Sequence, residues 1–225
     1  YGWLENYDPN WTPNTTDANG RRYRFGHQHK IALWNLYQLA NAIVPLIGET
    51  QPLEEAIDAY PDIYTEAWQA MMGKKLGLHT VNPEKDDALI TELLAVLEAV
   101  ETDMTIFYRK LANLPVSLDI NKEGDEDFLS TLIDAYYQPE QLTSEYKARM
   151  GKWIQSYKLR VREENISDDI RKSRMNAVNP KYVFRNYLAQ QAIDKAEQGD
   201  HTMIFELLEL LRHPYDDQPD KEVFV

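Results

Sequence analysis

The sequence predicts an all-α protein, and three observations lead there. Apolar residues recur at three- and four-residue steps along most of the 225 residues. The β-branched or alternating runs that mark strands are nearly absent. Prolines and glycines fall between the periodic segments, where they start and stop helices.

The elements follow in order. Residues 1–28 show no period, and Pro9, Pro13, Asn14, Asp17, Asn19 and Gly20 mark successive turns, so this stretch reads as an irregular segment. From about His29 the stripe Ile31, Leu33, Trp34, Leu36, Leu39, Ile43 and Leu46 is helical and wide enough for burial on more than one side. Pro45 and Gly48 are expected to end it. Pro52 suits the first position of a second helix, which reaches about Leu76 with a break at Pro61. Asn82-Pro83 opens a third, with Ile90, Leu93, Leu94, Leu97 and Val100 as its face. Asp103 caps the next, Met104 to Leu114, whose face is Ile106, Phe107 and Leu111, and Pro115 stops it.

Residues 119–127 read as an acidic loop. A short helix over Phe128 to Tyr136 and a long one over Thr143 to Glu164 follow. Asn179-Pro180 is expected to open another, running to Glu197 and ended by Gly199. Thr202 to Arg212 closes the fold. The expectation is seven to nine helices, divided into an irregular segment 1–28 and a helical domain 29–225. No fixed-period repeat recurs, which argues against a solenoid.

Composition narrows the function classes. With 43% hydrophobic and 27% charged residues the chain has the balance of a globular protein and enough length to bury a core. The cysteine count of zero removes disulfides, thiolate zinc sites and cysteine nucleophiles together. Lys and Arg number 24 against 37 Asp and Glu, a net charge of −13, so phosphate backbones repel the chain and nucleic acid is not an expected partner. No apolar run reaches the roughly 18 residues of a membrane span, so no membrane is expected either.

Asp119, Asn121, Glu123 and Gly124 match the start of a calcium loop, but its twelfth position is Ser130 and its eighth Glu126, so an acidic solvated loop is the better reading. None of the five histidines has Glu three residues before it, which speaks against a di-iron bundle. A nucleophile elbow, a P-loop and a Gly-rich dinucleotide turn are all missing.

Lys147, Arg149, Lys152, Lys158, Arg160, Arg162, Arg171, Lys172 and Arg174 form a basic stretch interleaved with Trp153 and Tyr157. It reads as a docking face or, more simply, as a solvated helix face with its aromatics inward. The simpler reading is favoured. Arg21, Arg22 and Arg24, with Tyr23 and Asp17, sit in the irregular opening. Those arginines either grip phosphate bidentately or brace the loop against Asp8 or Asp17, and both readings stay open.

Several blocks resemble the selenoprotein O family. In the opening they are Tyr1-Gly2-Trp3-Leu4, Tyr7-Asp8-Pro9, Asn14 to Asp17, Gly20-Arg21-Arg22-Tyr23 and Trp34-Asn35-Leu36. A more specific block runs Met175-Asn176-Ala177-Val178-Asn179-Pro180-Lys181-Tyr182, then Arg185-Asn186-Tyr187-Leu188-Ala189-Gln190. Gly199-Asp200 and Pro214-Tyr215-Asp216 also fit.

The resemblance implies a protein-kinase-like fold of atypical, pseudokinase type that transfers AMP from ATP to Ser, Thr or Tyr hydroxyls of proteins. This chain would be the C-terminal part of the longer protein. It would hold the helical C-lobe-like region and a family-specific helical extension, with residues 1–28 equivalent to a kinase activation segment. The catalytic, cofactor-binding and metal-binding residues would all precede Tyr1. The candidates left on this chain are Asp17, Arg21, Arg22, Tyr23 and Arg24, placed to shape the protein-substrate cleft.

ATP and magnesium are expected of the longer protein, and no cofactor and no activity of this chain alone. The implied partners are protein substrates and an N-terminal kinase-like portion, against which Trp3, Leu4, Tyr7 and Trp11 would partly pack, so that here they are expected to be exposed, disordered or buried in a dimer contact. The family's redox-active C-terminal residue would lie beyond Val225. The implied location is the cytoplasm in a bacterium or the mitochondrion in a eukaryote. The alternative from another class is a non-enzymatic helical interaction module that recruits a basic partner.

Overall fold

Short polar side chains and prolines set where the helices begin. A computed structural model describes residues 4–12, 20–116 and 127–225. It has ten α-helices among these: α1 Gln28–Ile47, α2 Gln51–Asp58, α3 Tyr60–Lys75, α4 Pro83–Ala99, α5 Met104–Leu111, α6 Asp127–Leu132, α7 Ser144–Arg162, α8 Asp168–Asn176, α9 Asn186–Glu197 and α10 Thr202–Arg212. Among the described residues extended pairing is limited to isolated bridges, Asn6 with Asp103 and Thr102 with Tyr136, so the all-α expectation holds. The chain divides into two compact units, Asp8–Met71 and Tyr1–Tyr7 with Met72–Val225.

In the larger unit four helices carry side-chain caps, each satisfying an amide that the helix leaves unpaired. Asn82 Oδ1 accepts from the Glu84 amide at 3.1 Å, and Asp103 Oδ1 from Ile106 at 2.9 Å. Thr143 Oγ1 accepts from Tyr146 at 3.1 Å, and Ser167 Oγ from Ile170 at 3.4 Å. The core forms where α4 packs on α7: Leu89, Ile90, Leu93, Val96 and Leu97 meet Met150, Trp153, Ile154 and Tyr157, all buried. Each such side chain contributes about 1.5–3 kcal/mol by leaving water. Trp153 stacks on Tyr157 with ring centres 5.2 Å apart, and its indole N–H donates to the Leu89 carbonyl at 2.8 Å. A second cluster holds α9 to α10 through Leu188, Ala192, Met203, Leu207 and Leu210, closed by Tyr182 and Phe224.

Gly77 follows α3 at φ +77°, a left-handed conformation that costs glycine little. A β-carbon there would lie 2.7 Å from Cγ of Arg171 and 3.0 Å from Cγ and Sδ of Met175.

The smaller unit consists of the irregular residues up to Arg24, a 3-10 turn Phe25–His27, α1, α2 and the first part of α3. His29 stacks on Tyr64 at 4.9 Å, and the Tyr60 hydroxyl donates to the His29 carbonyl at 3.0 Å. None of its described residues is buried.

Several boundaries differ from expectation. Pro45 does not end α1, which runs through it to Ile47. The proline leaves the Asn41 carbonyl without its usual amide donor, and Gly48 at φ 81° closes the helix by donating to the Val44 carbonyl. The break expected at Pro61 is present, since α2 ends at Asp58 and α3 begins at Tyr60. Helix α8 was not anticipated, although Ser167 before Asp168-Asp169 is a start signal. Helix α9 begins at Asn186 and not at Pro180. The preceding segment is held extended by the Pro214 carbonyl, which accepts from the Lys181 and Tyr182 amides at 2.7 and 3.2 Å. The helix expected over Phe128 to Tyr136 splits into α6 and a 3-10 turn, Ile133–Ala135.

Leu4 is the largest departure. It is buried at 2% exposure within the larger unit, where the Met104 amide donates to the Glu5 carbonyl and the Tyr7 amide to Thr102. Tyr7 and Trp11 are half-buried, and Trp3 lies outside the described residues.

Candidate functional site

The arginine segment is shaped by its own backbone. Asp8 Oδ1 accepts from the Asn10 amide at 2.8 Å, turning the chain so that the Trp11 carbonyl meets the Phe25 amide at 2.9 Å. Gly26 donates to the Pro9 carbonyl at 2.8 Å. A β-carbon at Gly26 would sit 3.0 Å from that oxygen, so the two strands of the loop approach as closely as glycine permits.

Arg21 takes φ 42° and is exposed, with Nη1 reaching the Asn10 carbonyl at 3.4 Å. The Arg22 guanidinium lies over the Trp34 ring at 3.8 Å, a cation–π contact, with Tyr23 at 5.7 Å. Arg24 Nη1 donates to the Arg21 carbonyl at 3.3 Å, and its Nη2 closely approaches His27 Nε2. Desolvation, then the Arg24 charge, lowers the His27 pKa. The structure thus sends the three arginine heads to different neighbours: a carbonyl, an indole and an imidazole. Asp17 lies outside the described residues, as does most of the acidic loop 119–127.

In the larger unit a cleft of about 280 Å³ is lined by Arg109, Lys110, Lys172, Lys181, Asp217 and Glu222, among others. Arg109 organises it. Nη1 donates to the carbonyls of Asn176, Asn179 and Tyr215 at 3.2–3.3 Å, and Nη2 to Asp217 at 3.0 Å. Lys181 reaches Asp217 at 3.1 Å and Glu222 at 2.5 Å, and Lys110 pairs with Asp134. The bond from Lys181 is the first cause holding the Asp217 carboxyl below its usual range. Most of the cleft's cations are therefore answered by the protein's own carboxylates.

Behind the cleft lies a buried polar network. Lys75 Nζ donates to Asn179 Oδ1 at 2.8 Å and sits 4.1 Å from the Tyr108 ring centre, and Asn179 returns a bond to the Lys75 carbonyl at 2.9 Å. Burial lowers the Lys75 pKa to about 8. Arg171, 1% exposed, donates to the carbonyls of Leu111, Ala112 and Leu114, to the Tyr157 hydroxyl and to Asp168. Arg185 pairs with Asp103 at 2.5 Å, both buried. Asp103 also accepts from Tyr137 at 3.0 Å, while Nε and Nη2 of Arg185 find no acceptor among the described residues.

The basic stretch does not form one face. Trp153 and Tyr157 point inward as expected, but Arg171 and Lys158 are buried, Arg149 pairs with Glu92 at 2.6 Å and Arg160 with Asp86 at 2.6 Å. Sequence reasoning missed the partners Lys75–Asn179 and Asp103–Arg185, which are 104 and 82 residues apart. Among the described residues no group of three or more His, Asp or Glu side chains is placed to hold a metal ion. The buried carboxylates Asp86 and Asp103 are already bonded to arginines, so this donor set does not fit a magnesium site. No helix among the described residues is long and apolar enough to cross a membrane.

Residues 1–212 match the family model described as "Protein adenylyltransferase SelO". The chain is 50% identical over 234 residues to a protein from Rhodopirellula baltica named "Protein nucleotidyltransferase YdiU", covering 100% of this chain and 42% of the relative. Proteins of the same name from Aromatoleum aromaticum and Flavobacterium johnsoniae are each 47% identical, covering 100% and 98% of this chain and 41% of each relative. The chain therefore spans well under half the length of these relatives.

Proposed function

The chain belongs to the SelO family of protein adenylyltransferases, and from that premise we propose that it is the helical part of a protein that transfers AMP from ATP to Ser, Thr or Tyr hydroxyls of other proteins. The observation that carries this reading is the family match over residues 1–212. In the reaction a substrate hydroxyl oxygen forms a bond to the α-phosphorus of ATP, the α–β bridging bond breaks and pyrophosphate leaves. Magnesium would neutralise the phosphate charge during that transfer.

We place the magnesium site in the remainder of the longer protein, a reading supported by the two buried carboxylates among the described residues, Asp86 and Asp103, each being bonded to an arginine. Catalytic and metal-binding groups belong to the remainder of the longer protein. This region acts as the C-lobe-like base and family-specific extension of a protein-kinase-like fold. Its larger unit supplies rigidity, because every motif residue of the Met175 to Arg185 block that is buried is also bonded or packed there: Met175, Asn179, Tyr182 and Arg185. Its smaller unit presents Arg21, Arg22, Tyr23 and Arg24 from a segment equivalent to an activation segment, facing the protein substrate.

The test is transfer of label from α-labelled ATP to protein with magnesium, comparing the natural-length protein with these 225 residues. Label from the natural-length protein alone is the expected result. Label from the 225 residues alone would overturn the placing of the catalytic groups. No label from either would overturn the transferase reading.

A further inference from the structure

The cleft beside Arg109 lies wholly within the larger unit, and its own pairs do not exhaust its lining. The residues come from α5, α8, Lys181 and the 3-10 turn Pro219–Phe224 with the chain just before it. The cations Arg109, Lys110, Lys172 and Lys181 outnumber the carboxylates Asp217 and Glu222. In a chain of net charge −13 that is a local reversal of sign. Arg109 is spent, since its two Nη groups already hold three carbonyls and Asp217. Lys172 is not. It is exposed and makes no ion pair among the described residues.

Acceptors are left over as well. Asp217 takes both Arg109 and Lys181 on Oδ1, and Glu222 takes Lys181 on Oε1, so each carboxylate keeps a second oxygen. Asn176 also lines the cleft, and its Oδ1 is buried with no donor among the described residues. A buried acceptor without a donor is costly, and folded proteins seldom keep one without a reason.

We propose that this cleft binds a small phosphate monoester that carries neighbouring hydroxyl groups. Lys172 takes the phosphate, as a compact charge with three rotatable donors. The second oxygens of Asp217 and Glu222, with Asn176 Oδ1, accept from the hydroxyls. A bare anion fits less well, because it offers those acceptors nothing to bond. The volume of about 280 Å³ sits just below the roughly 300–1,000 Å³ of common small-molecule pockets, which suits a ligand the size of ribose 5-phosphate. The inference does not rest on the transfer reaction and stands or falls independently of it.

The test is isothermal titration calorimetry on the natural-length protein, with ribose 5-phosphate, inorganic phosphate and ribose as probes. Magnesium and a non-hydrolysable ATP analogue are kept saturating, so that any nucleotide site is filled. Ribose 5-phosphate is expected to bind more tightly than either phosphate or ribose. Lys172→Ala, at an exposed position, should weaken it about tenfold or more, the loss of one charge-assisted bond. Lys152→Ala, an exposed lysine of α7, should leave it unchanged. Asn176→Leu should weaken ribose 5-phosphate several-fold and leave inorganic phosphate as it was, a split that general loss of structure does not give. Four results would each overturn the proposal: no binding of ribose 5-phosphate, binding indifferent to Lys172→Ala, phosphate bound as tightly as the sugar ester, or equal losses of both in Asn176→Leu.

Discussion

Helices α1 and α4 make opposite use of similar sequence. Both follow irregular chain, both are 17–20 residues long and both repeat apolar residues at helical steps. Helix α4 buries Leu89, Ile90, Leu93, Val96 and Leu97 against α7, whereas α1, with fewer charges, buries nothing. The difference teaches that an apolar stripe records what a helix needs to cover, while burial depends on which partner elements are present. The larger unit contains the partner for α4 within its own sequence. The smaller unit holds only α2 and the start of α3 against α1.

The largest effect should come from breaking the covered side of this comparison. Leu93→Ala, at a fully buried position, is expected to destabilise the larger unit by about 2–5 kcal/mol in denaturant unfolding, from lost transfer energy and the cavity left behind. A cost below that of an exposed site would mean that α4 and α7 do not share a tight core.

An intermediate effect concerns charge in the same unit. Burial lowers the Lys75 pKa from 10.5 to about 8, so the unfolded chain binds more protons between these values and stability attributable to Lys75 rises with pH across that window. Below pH 8 the cost of burying the ammonium is fully present. The stability of the native protein minus that of Lys75→Met should therefore increase between pH 8 and 10.5, by at most about 3 kcal/mol. Tyrosine and other lysine titrations cancel in that difference, and a flat profile would show that the ammonium is solvated.

The smallest effect sharpens the contrast. Leu39→Ala in the 225-residue chain is expected to change stability by less than about 0.5 kcal/mol, because the side chain is more than half exposed. A cost approaching that of Leu93→Ala would place α1 in a core already complete within this chain.

These outcomes bear on what the sequence made legible. The all-α class, the cap at Asp103 and the break at Pro61 were readable because each depends on residues within a turn of one another. Local rules erred where distant contacts decide. The segment after Asn179 reads as a helix start but is held extended by Pro214, and Pro45 reads as a stop but α1 runs through it to Ile47 before Gly48 closes the helix. Helix α8 is the miss that local rules could have avoided, since Ser167 and two aspartates announce it.

The candidate arginines were readable as a cluster in sequence, but not their divergence, because the stacking of Arg22 on Trp34 depends on how α1 leaves the loop. The pairing of Asp103 with Arg185 has no signal in periodicity at all. Leu4 was expected to pack on the N-terminal portion of the longer protein and so to be exposed, disordered or in a dimer contact here. It is buried because the backbone of Asn6 bridges to Asp103 and draws the opening residues into the larger unit.

Gly77 has a consequence for how this sequence can change. A β-carbon at 77 would press on the stems of both Arg171 and Met175, and the positive φ would strain any side chain there whatever the space. Shortening Arg171 in turn strips the carbonyls of Leu111, Ala112 and Leu114 of their donor. Room made at Arg171 would therefore not rescue a variant at Gly77, because the backbone strain and the Met175 contact persist, and the glycine is pinned by its own conformation as well as by its neighbours.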